Sequence, residues 1–273
     1  MIEFTLTKRN GYHLMLKHLI ILISVLLTPF VHAQEGGAEK GYVRVVCLGD
    51  PPPFVAREEN GVMVGQEAPA GSVPPREVSF SGATVRAEVP ETTKLRVRRM
   101  TKYIEVANKA LPVTIQADNK AWVKLPAPVS PMTVALFRDR SEKKLSWDKV
   151  GQKAFKDDLR SFPEGKVRFI NMTRVPIAIK MVEAGKAYSV NPGSLKMMGA
   201  DEGFTVGNNH VAVATKKAGG WKEMFKNRIK LLPRHRLSVY FYESDRQDPK
   251  GGIKLKVQML ELMEPAVNPV PNR

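Results

Sequence analysis

The side chains best suited to metal binding and acid–base catalysis are scarce in this sequence. Three of its five histidines lie in the first 33 residues, so a chain processed there keeps only His210 and His235. The single cysteine, Cys47, stands in an aliphatic run, where a small buried side chain is expected. Because zinc and copper sites need several such ligands at short spacings, the sequence predicts no metal site and no cofactor.

Serine and carboxylate chemistry leave equally weak signals. A serine nucleophile needs a nearby base and a strained turn such as G-x-S-x-G, which the chain lacks. Two S-x-x-K strings, at residues 141–144 and 146–149, lack the K-T-G and S-D-N partners of penicillin-binding enzymes. Adjacent acids occur at Glu58-Glu59, Asp157-Asp158 and Asp201-Glu202. Glycoside hydrolysis instead needs two carboxylates facing each other across a cleft, so we predict that the protein is not an enzyme.

The densest charge in the sequence is a basic run over residues 216–236. Eight lysines and arginines are accompanied there by one acid, Glu223, with the aromatic residues Trp221 and Phe225 among them. Such a run favours anionic polymers, anionic lipid head groups or acidic proteins as partners. The candidate binding surface comprises six of these residues: Lys222, Lys226, Arg228, Lys230, Arg234 and Arg236. The alternative is that these charged residues only form the solvent-exposed face of a sheet and bind nothing.

Residues 1–33 have the features of a signal peptide. Residues 19–31 form an apolar run that is short for a membrane-spanning helix, basic residues precede it, and Ala33 completes a signal-peptidase site. We predict cleavage after Ala33 and export to the periplasm or the exterior of a bacterium. The alternatives are an uncleaved membrane anchor and, for translation, a later start at Met15.

The charge balance points to the kind of partner. The whole chain has 43 basic and 27 acidic residues, a net charge of +16. Loss of the first 33 residues removes three basic residues and one acid and leaves +14. We expect no transmembrane segment in the mature chain, and export disfavours nucleic acid as the partner. The expected partner is an anionic envelope component or another envelope protein.

Short runs of β-favouring residues, separated by Pro, Gly and Asn, recur through the chain. They predict an all-β protein with two tandem immunoglobulin-like β-sandwich domains. The predicted parts are a first domain at 34–144 with a long loop at 49–75, a connector helix at 145–162, a second domain at 163–264 and a disordered tail at 265–273. Within the long loop, Asn60-Gly61 predicts a small hairpin.

An internal repeat supports two similar domains. KYIEVANKALPVTIQ, residues 102–116, aligns with KVRFINMTRVPIAIK, residues 166–180, at a constant offset and with a shared proline. A Lys-Ala-aromatic step recurs after both segments. We therefore predict that residues 102–126 and 166–192 form equivalent strands of two sandwiches. The alternative is similar turn chemistry within one larger sandwich.

Three segments resemble a family of secreted bacterial β-sandwich proteins of uncharacterised activity. The segments are FPEGKVRFINMTRVPIAIKM, KAYSVNPG and GGWKEMFKNRIKLLPRHRLSVYFYE. Those proteins pair a beginning similar to Val73-Pro74-Pro75-Arg76 with short strands interrupted by proline. The resemblance spans roughly residues 74–260 and involves turns and core positions. It implies a fold and no activity, and no functional residue is carried over from it.

These observations predict an exported, non-enzymatic β-sandwich protein that uses a basic face to bind its partner. One alternative is a periplasmic chaperone of the two-immunoglobulin-domain type, which shares the size, basicity and export but whose signature before the interdomain region is not found here. Another is a cell-wall or polysaccharide hydrolase. A continuous basic sheet edge favours the chaperone, and a cleft with two facing carboxylates favours the hydrolase.

Overall fold

A computed structural model of the protein describes residues 39–52, 56–66, 68–83, 92–139, 146–244 and 257–267. Regular structure in these ranges is β, apart from a short 3-10 turn at Ala200–Glu202. This confirms the all-β prediction. No helix in the described ranges is long and apolar enough to cross a membrane. The predicted signal peptide, the β-favouring run at residues 84–89 and most of the predicted tail lie outside the described residues.

The described residues of the first half contain ten strands. They are β1 (Gly41–Leu48), β2 (Ala56–Glu59), β3 (Val62–Gly65), β4 (Glu77–Phe80), β5 (Thr93–Lys94), β6 (Ile104–Val106), β7 (Val113–Ala117), β8 (Lys120–Leu125), β9 (Met132–Arg138) and β10 (Val150–Lys156). Two four-stranded sheets form, with the orders β10-β9-β1-β6 and β5-β4-β7-β8. β2 and β3 form a separate hairpin, and its turn at Asn60-Gly61 has the positive φ angles of a tight hairpin turn. The hairpin prediction is confirmed.

Eight strands lie in the part of the second half that the structure describes. They are β11 (Val167–Asn171), β12 (Ile177–Met181), β13 (Ala187–Val190), β14 (Leu195–Met198), β15 (Gly207–Lys217), β16 (Gly220–Leu231), β17 (His235–Glu243) and β18 (Val257–Pro265). Their sheets have the orders β14-β11-β17-β18 and β13-β12-β15-β16.

The two halves repeat one pairing scheme. β1 and β11 each pair in parallel with a later strand, β9 and β17, and antiparallel with another, β6 and β14. β4 pairs antiparallel with β5 and β7, and β12 pairs antiparallel with β13 and β15. A register shift interrupts the β7–β8 pair after Ile115 and the β15–β16 pair after Val213. The repeat is therefore present, and its two units begin at β1 and at β11.

The predicted alignment of this repeat is wrong. It matches β6 with β11, but among the described strands β6 pairs with β1 alone, whereas β11 lies between β14 and β17. The strand equivalent to β11 by pairing is β1, which lies between β9 and β6. An apolar strand followed by a proline-containing turn occurs in both halves, so local similarity aligned the wrong strands. The correct alignment of the two halves follows only from the pairing of strands that are distant in sequence.

Residues alternate between two cores along the central strands. Val43, Val45 and Cys47 of β1 pack towards the sheet that contains β4, β7 and β8. Val46 and Leu48 instead join a cluster with residues of β11, β17 and β18 from the second half. A separate core lies between the two sheets of the second half. Ala38–Arg273 is thus a single compact unit, because a third core joins the two halves.

The predicted connector helix is wrong over its described part, residues 146–162. Strand β10 occupies its centre and pairs antiparallel with β9. Phe155 of β10 packs edge-on against Tyr240 with ring centroids 6.3 Å apart. The nearly helical spacing of apolar residues arises because Trp147 and Phe162 are buried in turns on either side of this strand.

Candidate functional site

β16 carries the main part of the predicted basic surface. It is an outer strand that pairs with β15 alone among the described strands. Successive side chains of a strand point to opposite faces of the sheet, and Ile229 and Leu231 are buried in the core. Lys226, Arg228 and Lys230 therefore lie together on the exposed outer face, which we call the basic face.

A β-bulge separates Lys222 from these three cations. The register slips by one residue opposite β15, so that both Met224 and Phe225 pack against the core. Beyond the slip, Lys222 lies opposite the buried residue Thr215 and is exposed on the other side of the sheet. Trp221 consequently lies on the outer face. Sequence spacing alone places Lys222 with the other lysines, because it does not reveal the bulge.

The last two predicted surface residues lie elsewhere. Arg234 is exposed in the turn before β17, with φ of 55°. Arg236 is only 1% exposed, so its assignment to the binding surface is wrong. Its guanidinium donates to the carbonyl oxygens of Asp157 at 2.8 Å and Phe162 at 3.0 Å. The position of Arg236 in a strand buried on both faces, next to Leu237, is the signal that sequence reasoning missed.

Small residues form a floor beside the basic face. Ala212 and Ala214 of β15 lie on the same side of the sheet, as does Ala178 of β12. The register places Lys180 on one flank of Ala212 and Lys226 on the other. Adjacent strands are about 4.8 Å apart, so the two lysines are based about 9.6 Å apart. The outer face therefore has small residues in its middle strand with a lysine on either side, and we call this strip the channel.

Two acids on this side of the sheet are engaged locally. Glu223 lies 3.8 Å from the ammonium of Lys226, and both side chains are well exposed. Glu183 pairs with the Nδ1 of His210, and this hydrogen bond lowers the pKa of the Glu183 carboxyl. Within the described ranges no acid forms an ion pair with Arg228 or Lys230, so their charges are available to a ligand.

A second charged group, which we call the ionic core, lies between the two halves. It comprises Arg44, Asp157, Arg168, Arg236 and Glu264. Arg44 and Arg168 occupy equivalent strands, β1 and β11, and make equivalent contacts. The Nε of Arg44 donates to a threonine hydroxyl of β9, and that of Arg168 donates to a serine hydroxyl of β17, both at 2.8 Å. The repeated topology thus brings two equivalent arginines to one place.

Asp157 is the centre of the ionic core. Its carboxylate lies 2.9 Å from Arg168 and 3.7 Å from Arg236, and it also pairs with Arg44. Burial alone would raise the pKa of this carboxyl, but the three guanidinium groups outweigh burial and lower it. The Asp157 side chain has no exposed surface, so it is unavailable to a substrate in this structure. These contacts assign the ionic core a structural role.

The remaining candidates do not assemble into a catalytic group. His210 is paired with Glu183, whereas His235 lies in a different strand and contacts the Pro233 carbonyl oxygen at 2.7 Å. Asp158 accepts hydrogen bonds from the backbone and hydroxyl of Ser161. No group of three or more potential metal ligands of the His, Cys, Asp and Glu types occurs among the described residues.

Two shallow depressions are found on the first half. The larger, about 530 Å³, has no acid or histidine in its lining and lies beside Lys124 and Gln152. The smaller, about 290 Å³, is lined in part by Asp118, Asp148 and Trp122. Neither includes a residue of the basic face or of the ionic core.

Comparisons with known proteins give no family assignment. No protein-family model matches the chain, and no curated protein matches it.

Proposed function

We propose that this is an exported, non-enzymatic binding protein that holds an anionic component of the bacterial envelope on its basic face. The observation that carries the proposal is the row formed by Lys226, Arg228 and Lys230 on one exposed face. Successive members are about 6.8 Å apart along the strand, a regular spacing suited to a linear polyanion. The net charge of +14 expected after cleavage adds a long-range attraction for such a ligand.

The finer fold assignment also belongs to this proposal. We infer two tandem immunoglobulin-like domains, each made of two facing sheets. The repeated pairing scheme and the separate core within each half support this assignment. The ionic core then acts as the fixed joint between them, which would hold the basic face in one orientation relative to the first half.

A triple charge reversal tests the proposed binding. Lys226→Glu, Arg228→Glu and Lys230→Glu together should abolish retention on an anionic envelope fraction at 0.1 M salt. Retention of the unchanged protein should fall as salt rises to 1 M, because the screening length shrinks from about 10 Å to about 3 Å. The measurement is the fraction of protein that sediments with the envelope material.

A matched triple variant separates location from net charge. Lys120→Glu, Lys124→Glu and Lys153→Glu make the same change of charge at exposed positions of the first half. This control should be retained far better than the first variant, and both should unfold at nearly the same temperature as the unchanged protein, since exposed substitutions usually cost within about 0.5 kcal/mol each. Equal loss of retention in the two variants would show that net charge alone, and not the basic face, drives binding.

Export makes a separate prediction. The exported protein should begin at Gln34, since the apolar run and the small residue at Ala33 place the cut there. Intact-mass measurement of protein recovered from the periplasm or medium tests this. A mass that retains residues 19–31 would show that the segment is an uncleaved anchor.

The chaperone alternative has one observation in its favour. β16 is a twelve-residue outer strand, and such an edge can accept an added strand from a client. However, lysines on an edge strand are also a common means of preventing strand addition. The hydrolase alternative has less support, because Asp157 and Glu264 are held by arginines and Asp148 accepts a 2.6 Å hydrogen bond from Ser146.

A further inference from the structure

We propose that the basic face binds an acidic polysaccharide, a chain of pyranose rings bearing carboxylates, which lies along β15 with one ring on Trp221. This inference rests on the proposed function and names its ligand class. Three features of the face carry it: the cations on both sides of the channel, the alanine floor between them and the exposed aromatic ring at one end.

The channel fits an extended chain. Ala212, which is 7% exposed, and the partly exposed Ala214 lie in the middle strand, and Lys180 and Lys226 lie in the strands on either side. A ligand on this floor can reach cations from both flanks without entering a cavity. The backbones that carry the two lysines are about 9.6 Å apart, two strand spacings, and this separation suits a single chain of sugar rings lying parallel to the strands.

Trp221 supplies the recognition of a ring. Its side chain is 48% exposed, and its register partner is Lys216 on the outer face of β15. A half-exposed indole offers a flat apolar surface, on which the apolar face of a pyranose can stack. It lies about 15 Å along the strand from Lys226, so a ligand touching both must span several sugar units.

Glu223 gives the face an additional feature. It lies opposite Ala214, between Trp221 and the cation row, and its carboxylate is within 3.8 Å of the Lys226 ammonium. A carboxylate there can accept hydrogen bonds from sugar hydroxyls, but it also repels an acidic chain. We therefore expect Glu223→Gln to bind an acidic polysaccharide about as well as the unchanged protein or better.

The test uses oligogalacturonides of two and eight units, with isothermal titration calorimetry as the readout. The octamer should bind at least about tenfold more tightly than the dimer, because only the octamer reaches both Trp221 and Lys226. Trp221→Ala should weaken octamer binding by about tenfold, the size of effect typical of an aromatic contact residue, whereas Trp221→Phe should retain most of the affinity.

Two further ligands distinguish this inference from the proposed function. Poly-L-glutamate with eight carboxylates carries the charge without the rings, and the methyl-esterified octamer carries the rings without the charge. Both should bind more weakly than the acidic octamer.

Equal binding of poly-L-glutamate, unaffected by Trp221→Ala, would overturn the polysaccharide inference and leave the binding of polyanions standing. Binding of none of these ligands would overturn the inference and remove support from the proposed function as well. Equal binding of the methyl ester would overturn both, since charge would then play no part.

Discussion

Asp157→Asn is expected to lower the free energy of unfolding by about 3–5 kcal/mol, the usual cost of removing one partner from a buried ion pair. The side chain of Asp157 has no exposed surface, and those of Arg168 and Arg236 are each 1% exposed. Asparagine has nearly the same shape but no charge, so the guanidinium groups would lose their central counter-ion. Urea unfolding monitored by circular dichroism measures the change.

The destabilisation should also depend on pH. The folded-state pKa of Asp157 is lowered by the three arginines, so its stabilising contribution is complete above the unfolded-state pKa of about 3.9. That contribution is lost as the pH falls below this value towards the folded-state pKa. The difference in unfolding free energy between the unchanged protein and Asp157→Asn should therefore be constant from pH 7 to pH 5 and shrink below pH 4.

Asp201→Asn is the matched control for the loss of stability. Asp201 is exposed in the 3-10 turn, and its backbone oxygen accepts a 2.8 Å hydrogen bond from the Lys186 ammonium. We expect the free energy of unfolding to change by no more than about 0.5 kcal/mol. If Asp157→Asn behaved like this control, the ionic core would contribute little to stability, and the joint between the halves would have to rest on apolar contacts alone.

The sequence predicts the strand content well because strand periodicity is a local property. Val43, Val45 and Cys47 alternate with residues that pack elsewhere, and the hairpin at Asn60-Gly61 depends on two adjacent residues that accept positive φ. The sequence does not predict which strands of the two halves are equivalent. That equivalence depends on pairs such as β1 and β9, which more than 80 residues separate. Local resemblance between β6 and β11 outweighed this distant relation.

The candidate site was predicted in part for the same reason. Lys226, Arg228 and Lys230 alternate with residues of the core, and simple alternation brings them to one face. Lys222 is lost from that face through a bulge that no short motif announces. Arg236 belongs to the interior because Asp157 and Glu264, from distant parts of the chain, converge on it. Neither contact is visible in the surrounding sequence.

Cys47 should react with thiol reagents at least about a thousandfold more slowly in the folded protein than in urea. It is the only cysteine of the chain and is 1% exposed, in the core between the two sheets of the first half. Burial raises the pKa of its thiol to about 12, so little of the reactive thiolate forms near neutral pH. Reaction then requires opening of the structure. If Cys47 is exposed only by global unfolding, the free energy of opening is at least about 5 kcal/mol for a stable domain.

The same measurement can show whether the two halves open together. β1 carries Cys47 on one face and Arg44 on the other, and Arg44 pairs with Asp157 in the ionic core. If exposure of Cys47 requires loss of the ionic core, Asp157→Asn should speed labelling by about a hundredfold or more, since each 1.4 kcal/mol changes the open population about tenfold. Asp201→Asn should leave the rate unchanged. An unchanged labelling rate in Asp157→Asn would mean that β1 opens locally while the two halves remain joined. Labelling of the folded protein at the rate seen in urea would contradict the burial of Cys47.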